Sequence, residues 1–82
     1  MQKEVIVSKV NEFLIDEFEI ESSQLSPDAL LKDDLGIESL DFVDIAVIVE
    51  KEFGVKVVGE EVAGVRTVDD LYDYIYNKLN KN

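Results

Sequence analysis

Three stretches of this chain carry apolar residues at helical spacing, and that pattern confines it to a helical solution. From Lys3 to Phe18 the stripe is Ile6, Val10, Phe13, Leu14 and Phe18. A second stretch runs from about Ser39 to Phe53 and stops at Gly54, a residue suited to the left-handed end of a helix. The third opens on Thr67-Val68-Asp69-Asp70, a shortened capping box, and continues with Val68, Leu71, Tyr72, Ile75 and Leu79. The run "VKVV" at 55–58 has strand propensity, but a lone strand would have nothing to pair with. It reads as an extended link, followed by a short helical turn near Glu60 to Ala63. Residues 80–82 are expected to fray. The expected fold is therefore all-α, one domain over residues 1–82, with three main helices, one short helix and a long first loop.

That loop, "EIESSQLSPDALLKDDLGIE", loses all periodicity and carries Ser, Pro, Gly and acids. Unpatterned loops of this length are uncommon in small domains and are often functional. Ser26 followed by Pro27 suggests a short helical turn at "PDALL". Leu25, Leu30, Leu31, Leu35 and Ile37 are expected to pin the loop onto the core.

Composition removes several kinds of chemistry. The 82 residues include no cysteine and no histidine, so disulfides, thiolate metal sites and the usual neutral-pH general base are all missing. Nineteen acids against eight bases give a net charge of −11. Such a surface repels nucleic acid and anionic membrane and suits basic protein partners, reached by salt-sensitive steering. No apolar run has the length of a membrane span and no signal peptide opens the chain, so a cytoplasmic protein is expected, and a monomer is the simplest expectation for so acidic a small domain.

The second helix has more apolar surface than a three-helix domain can bury. With Ser39 at 0° and about 100° per residue, Phe42, Ile45, Ala46, Val49 and Phe53 fall within roughly 240–340°, a core stripe. Leu40, Val43 and Val47 fall elsewhere, at roughly 40–100°. Glu50, at about 20°, and Asp44, at about 140°, flank this second stripe, and Ser39 stands at its top. Either loop residues such as Leu35 and Ile37 cover it, or it is an apolar contact strip with an acidic rim, as docking surfaces have.

Ser39 itself admits several readings. It can be the N-cap of its helix. It cannot be an activated nucleophile, because no histidine exists to serve it and the sequence around it is not a nucleophile elbow. The loop is also a poor calcium site, since registering its glycine leaves Leu31 at the first ligand position. A phosphate ester would suit the position, where free amides and the helix dipole meet an anion.

The segment "DDLGIESLDFVDIAVIVEKEFGVKV" resembles the acyl carrier proteins, whose pattern runs Leu-Gly, a variable residue, Asp, Ser, Leu. The likeness extends over nearly the whole chain, through the long first loop, the short third helix and the closing "TVDDLYDYI". The resemblance implies that Ser39 carries 4′-phosphopantetheine, transferred from coenzyme A by a Mg²⁺-dependent phosphopantetheinyl transferase. The arm's thiol would hold acyl groups as thioesters for condensing, acyl-transferring and other biosynthetic enzymes, and the protein would catalyse nothing. It implies also that Glu38, Asp41, Asp44 and Glu50 meet basic patches on those enzymes, and that Leu40, Val43 and Val47 make the apolar contacts. The sequence departs from the pattern at Glu38, where Asp is usual, and at Lys51, where an acid is common. Ala63 and Gly64 make its short third helix less acidic. The implied cargo is an acyl group of fatty-acid, polyketide-like or aryl-polyene-like synthesis. An aminoacyl carrier of the D-alanyl type shares the fold, and an acidic binding module without a cofactor would need Ser39 only as a cap.

Overall fold

A computed structural model describes residues 2–80. Its elements are α1 (Lys3–Phe18), a 3-10 turn at Ser22–Gln24, α2 (Ser39–Phe53), α3 (Gly59–Val62) and α4 (Val68–Asn80). Among the described residues no strand forms beyond one isolated antiparallel bridge, Leu30 to Thr67. The all-α expectation holds, including the extended link at 55–58. Of the residues expected to fray, Asn80 closes α4, and residues 81 and 82 lie outside the described residues.

The helices form where the stripes predict because each buries one face against the others. Ile6, Val10 and Leu14 of α1 are fully buried, as are Val68, Leu71 and Ile75 of α4, and the two helices pack against each other. Phe18 and Leu79, at the ends of their stripes, are half-buried. In α2 the core residues are Ile45, Val49 and Phe53, with Phe42 and Ala46 half-buried beside them. Each end has its own device. Gly54 takes φ 68°, and its N–H reaches Glu50 O at 3.0 Å, closing α2 in the left-handed conformation glycine adopts without strain. At the end of α1 the same conformation falls on Glu19, φ 55°, where no glycine is available. At the start of α4 the capping box is complete: Asp70 N–H donates to Thr67 Oγ1 at 3.0 Å, and Thr67 N–H donates to Asp70 Oδ2 at 3.2 Å.

The long loop is tied down by backbone bonds to the chain entering α4. Leu31 N–H donates to Arg66 O at 2.9 Å, and Val68 N–H to Ala29 O at 3.0 Å. Leu31 and Ile37 are buried as expected, and Leu25 and Leu35 are half-buried. Leu30 departs from expectation: it is 37% exposed, because its backbone makes the bridge to Thr67 while its side chain lines a surface cleft. Ile20 and Ala29 are buried in its stead. The helical turn expected at "PDALL" is a single β-turn, with Ala29 N–H donating to Ser26 O at 3.0 Å. The Pro27 carbonyl faces Asp69 instead and accepts its amide at 3.0 Å, so the segment serves α4 rather than starting a helix.

Candidate functional site

Gly36 brings the chain to α2. Its φ of 70° turns "DLG" so that Ile37 drops into the core, 2% exposed, and Glu38 emerges as the N-cap. This corrects the reading of Ser39 as a cap. Glu38 and Asp41 form a reciprocal capping box, in which Glu38 N–H donates to Asp41 Oδ2 at 2.9 Å. Ser39 is therefore the first helical residue, one position inside. It is exposed, and among the described residues its hydroxyl has no hydrogen-bond partner. A serine that caps nothing and sits exposed at the first position of a helix capped by its neighbours is free to be modified without breaking a bond of the fold.

The second apolar stripe is uncovered. Leu40 is 80% exposed, Val43 61% and Val47 60%, so the loop does not shield them, and Ile37 points into the core instead. The acidic residues around the stripe divide by task. Glu38 and Asp41 cap α2, and Glu50 Oε2 accepts the Val57 amide at 3.0 Å, holding the extended link against the helix. Asp44 alone of the four has no such bond among the described residues. Glu38, Asp44 and Glu50 are exposed, and each carboxylate has lone pairs left to meet a cation.

Sequence reasoning missed the cleft on the other flank of Ser39. It has a volume of about 630 Å³ and lies between the start of α2, α3 and the paired segments around Leu30 and Arg66. Ser39, Phe42, Val43, Val62, Ala63 and Val65 contribute to its walls, with Lys32, Asp33 and Arg66 as its charged residues. Only the long loop hinted at it, because the pairing of Leu30 with Thr67 has no local signal. One wall, α3, is held from behind. Tyr74 OH donates to Glu61 Oε1 at 2.9 Å, Val58 N–H reaches Tyr74 OH at 3.4 Å, and Lys78 Nζ pairs with Glu61 at 2.8 Å. Burial, then the bond to Glu61, pushes the Tyr74 hydroxyl above its ordinary pKa. No cluster able to hold a metal ion occurs among the described residues.

An exposed serine with an uncommitted hydroxyl, a helix N-terminus behind it and a largely apolar cleft beside it fits a covalently attached phosphopantetheine. Comparison with known proteins agrees. Residues 8–75 match the family model described as the phosphopantetheine attachment site. The acyl carrier protein of Thermotoga maritima is 42% identical over 77 residues, covering 94% of this chain and 95% of that protein. The meromycolate extension acyl carrier protein of Mycobacterium leprae is 39% identical over 80 residues, 98% of this chain and 70% of that one. A crystal structure of an acyl carrier protein from Thermotoga maritima superimposes with a TM-score of 0.83 at 26% identity, covering 99% of this chain and 94% of that one. This chain belongs to the acyl carrier protein family, and is a carrier bearing covalent phosphopantetheine rather than a catalyst.

Proposed function

We propose that Ser39 is the attachment site and that the chain delivers acyl intermediates to enzymes of fatty-acid or related polyketide-like or aryl-polyene-like synthesis. The observation that carries this reading is the combination at Ser39 of exposure, an unpartnered hydroxyl and a position at the mouth of the cleft. Loading joins the serine oxygen to the phosphoryl group of coenzyme A and releases 3′,5′-ADP. Once attached, the arm supplies the thiol on which acyl groups are held as thioesters, which the chain lacks because it has no cysteine. The remaining work belongs to the protein's own residues. The positive end of the α2 dipole favours negative charge at the attachment point, although Glu38 already accepts the third amide there. Phe42, Val62 and Val65 give the cleft apolar walls that shield an alkyl chain from water.

Docking falls to Leu40, Val43 and Val47, with Glu38, Asp41, Asp44 and Glu50 meeting Arg and Lys on the transferase and the biosynthetic enzymes. The uncovered stripe supports this assignment, since an apolar strip on a small acidic protein is stable in water but gains by association. The mycobacterial relative, named as an acyl carrier protein of meromycolate extension, supports an acyl cargo over an aminoacyl one. No helix among the described residues is long and apolar enough to cross a membrane, in keeping with the proposed work in the cytoplasm.

The test is intact mass after incubation with coenzyme A, Mg²⁺ and a phosphopantetheinyl transferase. One phosphopantetheinyl group is expected on the parent and none on Ser39→Ala. Loading of the variant would place the arm elsewhere, and no loading of a folded parent would leave α2 as a binding surface alone.

A further inference from the structure

The cleft beside Ser39 is cationic in a chain of net charge −11. Lys32 and Arg66 both line it, brought together by the Leu31 N–H to Arg66 O bond of 2.9 Å. Both are exposed, and neither side chain has a hydrogen bond or ion pair among the described residues, as is also true of Lys9, Lys51 and Lys56 outside this cleft. Carboxylates lie nearby, among them Asp34, whose Oδ2 accepts the Leu30 amide at 2.8 Å. Asp33 lines the same cleft, and Asp70 bonds the Arg66 backbone amide at 3.3 Å through an oxygen already shared with the Thr67 amide. Asp70 is engaged by the cap, although the Arg66 charge also acts on its carboxylate, and the side chains lining the cleft itself are two cations against one carboxylate.

Resting on the assignment of the arm to Ser39, we infer that Lys32 and Arg66 hold the phosphodiester of the prosthetic group and draw the arm across the cleft. The phosphodiester is the anion this site is built to meet. It is tethered to a residue of the same cleft, so its local concentration is high and constant, whereas the far end of a cargo changes with every reaction step. The α2 N-terminus approaches it from one side, and Arg66 and Lys32 from the other. Arg66 offers a planar fork for two phosphate oxygens, and Lys32 a mobile point charge. Held there, the arm starts toward the segments around Leu30 and Arg66 instead of along the exposed face of α2. That leaves Leu40, Val43 and Val47 clear for a docking enzyme.

The experiment compares apo, holo and acyl-loaded protein by NMR, after intact mass has established loading in the parent and in Lys32→Gln/Arg66→Gln. The expected results are a ³¹P resonance displaced from its urea-unfolded position in the holo parent and an Arg66 Nε–H resonance that moves from apo to holo. In the double variant, or in the parent at high salt, the ³¹P resonance should return toward the unfolded value. Circular dichroism checks that the variant keeps its fold. A ³¹P resonance identical in parent and variant overturns the inference while leaving the attachment reading intact. So does an Arg66 resonance that stays still on loading of the bare arm and moves only with a succinyl cargo and not a butyryl one, since the pair would then serve a cargo carboxylate. Absence of any mass gain overturns the Ser39 assignment itself.

Discussion

The α1–α4 seam and the α2–α3 seam use the same kinds of residue to opposite ends. α1 and α4 pack together with Ile6, Val10, Leu14, Val68, Leu71 and Ile75 fully buried, and polar contacts tie the edges. Tyr72 donates to Asn11, and Lys3 pairs with Asp73 at 2.7 Å and Asp69 at 3.8 Å. Between α2 and α3 the apolar side chains stop short of closure and leave the cleft. A helix of four residues does not stand alone, so α3 exists only because the link, Tyr74 and Lys78 hold it. One seam is closed along its length, while the other buries Ile45, Val49 and Val62 and still leaves a cleft at its Ser39 end.

The sharpest way to break this contrast is to truncate one residue in each seam. Ile75→Ala, at a fully buried site, should cost about 2–5 kcal/mol, a large share of the stability of so small a domain. Val43→Ala should stay within about 0.5 kcal/mol in the same urea titration while weakening association with partner enzymes. Equal losses at the two positions would mean that the stripe is covered.

The caps come next. Thr67→Ala removes the acceptor for the Asp70 amide and should cost about 0.5–2 kcal/mol in urea. The same cap makes stability depend on acid. The backbone bond from Thr67 is the main cause holding the Asp70 carboxyl below its ordinary value of 3.8, with the Arg66 amide and charge adding to it. The stabilisation is therefore fully present above that value, and is lost as pH falls through the lower folded value. Asp70→Asn should flatten the acid limb of a stability–pH curve, and an unchanged limb would remove Asp70 from the account.

The open seam is probed more gently by Tyr74→Phe, which deletes the hydroxyl bonded to Glu61 and Val58. The expected loss is about 0.5–1.5 kcal/mol, with faster hydrogen exchange at the α3 amides and none of the increase at α1. Uniform acceleration across both helices would show that the seams are a single unit. At the end of α1, Glu19→Gly should raise stability by about 0.5–1 kcal/mol by relieving the left-handed glutamate. The smallest effect is expected at Ser39→Ala, which should change stability by less than about 0.5 kcal/mol because the serine caps nothing.

The parts of this fold legible in the sequence are those set by local period and local chemistry. The helix limits, Gly54, the Thr67–Asp70 cap and the surplus stripe of α2 each follow from residues within a few positions of one another. The pairing of Leu30 with Thr67, the exposure of Leu30 and the cleft itself depend on contacts more than thirty residues apart. No periodicity reports them. Glu38 displaced Ser39 as the cap through a local reason that was readable: Asp41, three residues on, completes a box with Glu38. Serine's own high capping propensity hid it.

That displacement bears on the lifetime of the protein in its two forms. Had Ser39 been the cap, every chain would exchange a structural bond for its prosthetic group, and the bare and loaded forms would differ in their exposure to proteases. With Glu38 and Asp41 closing the helix, the bare chain forfeits nothing while it waits. Under the proposed attachment at Ser39, the chain keeps every capping bond of α2 before the prosthetic group arrives and after it.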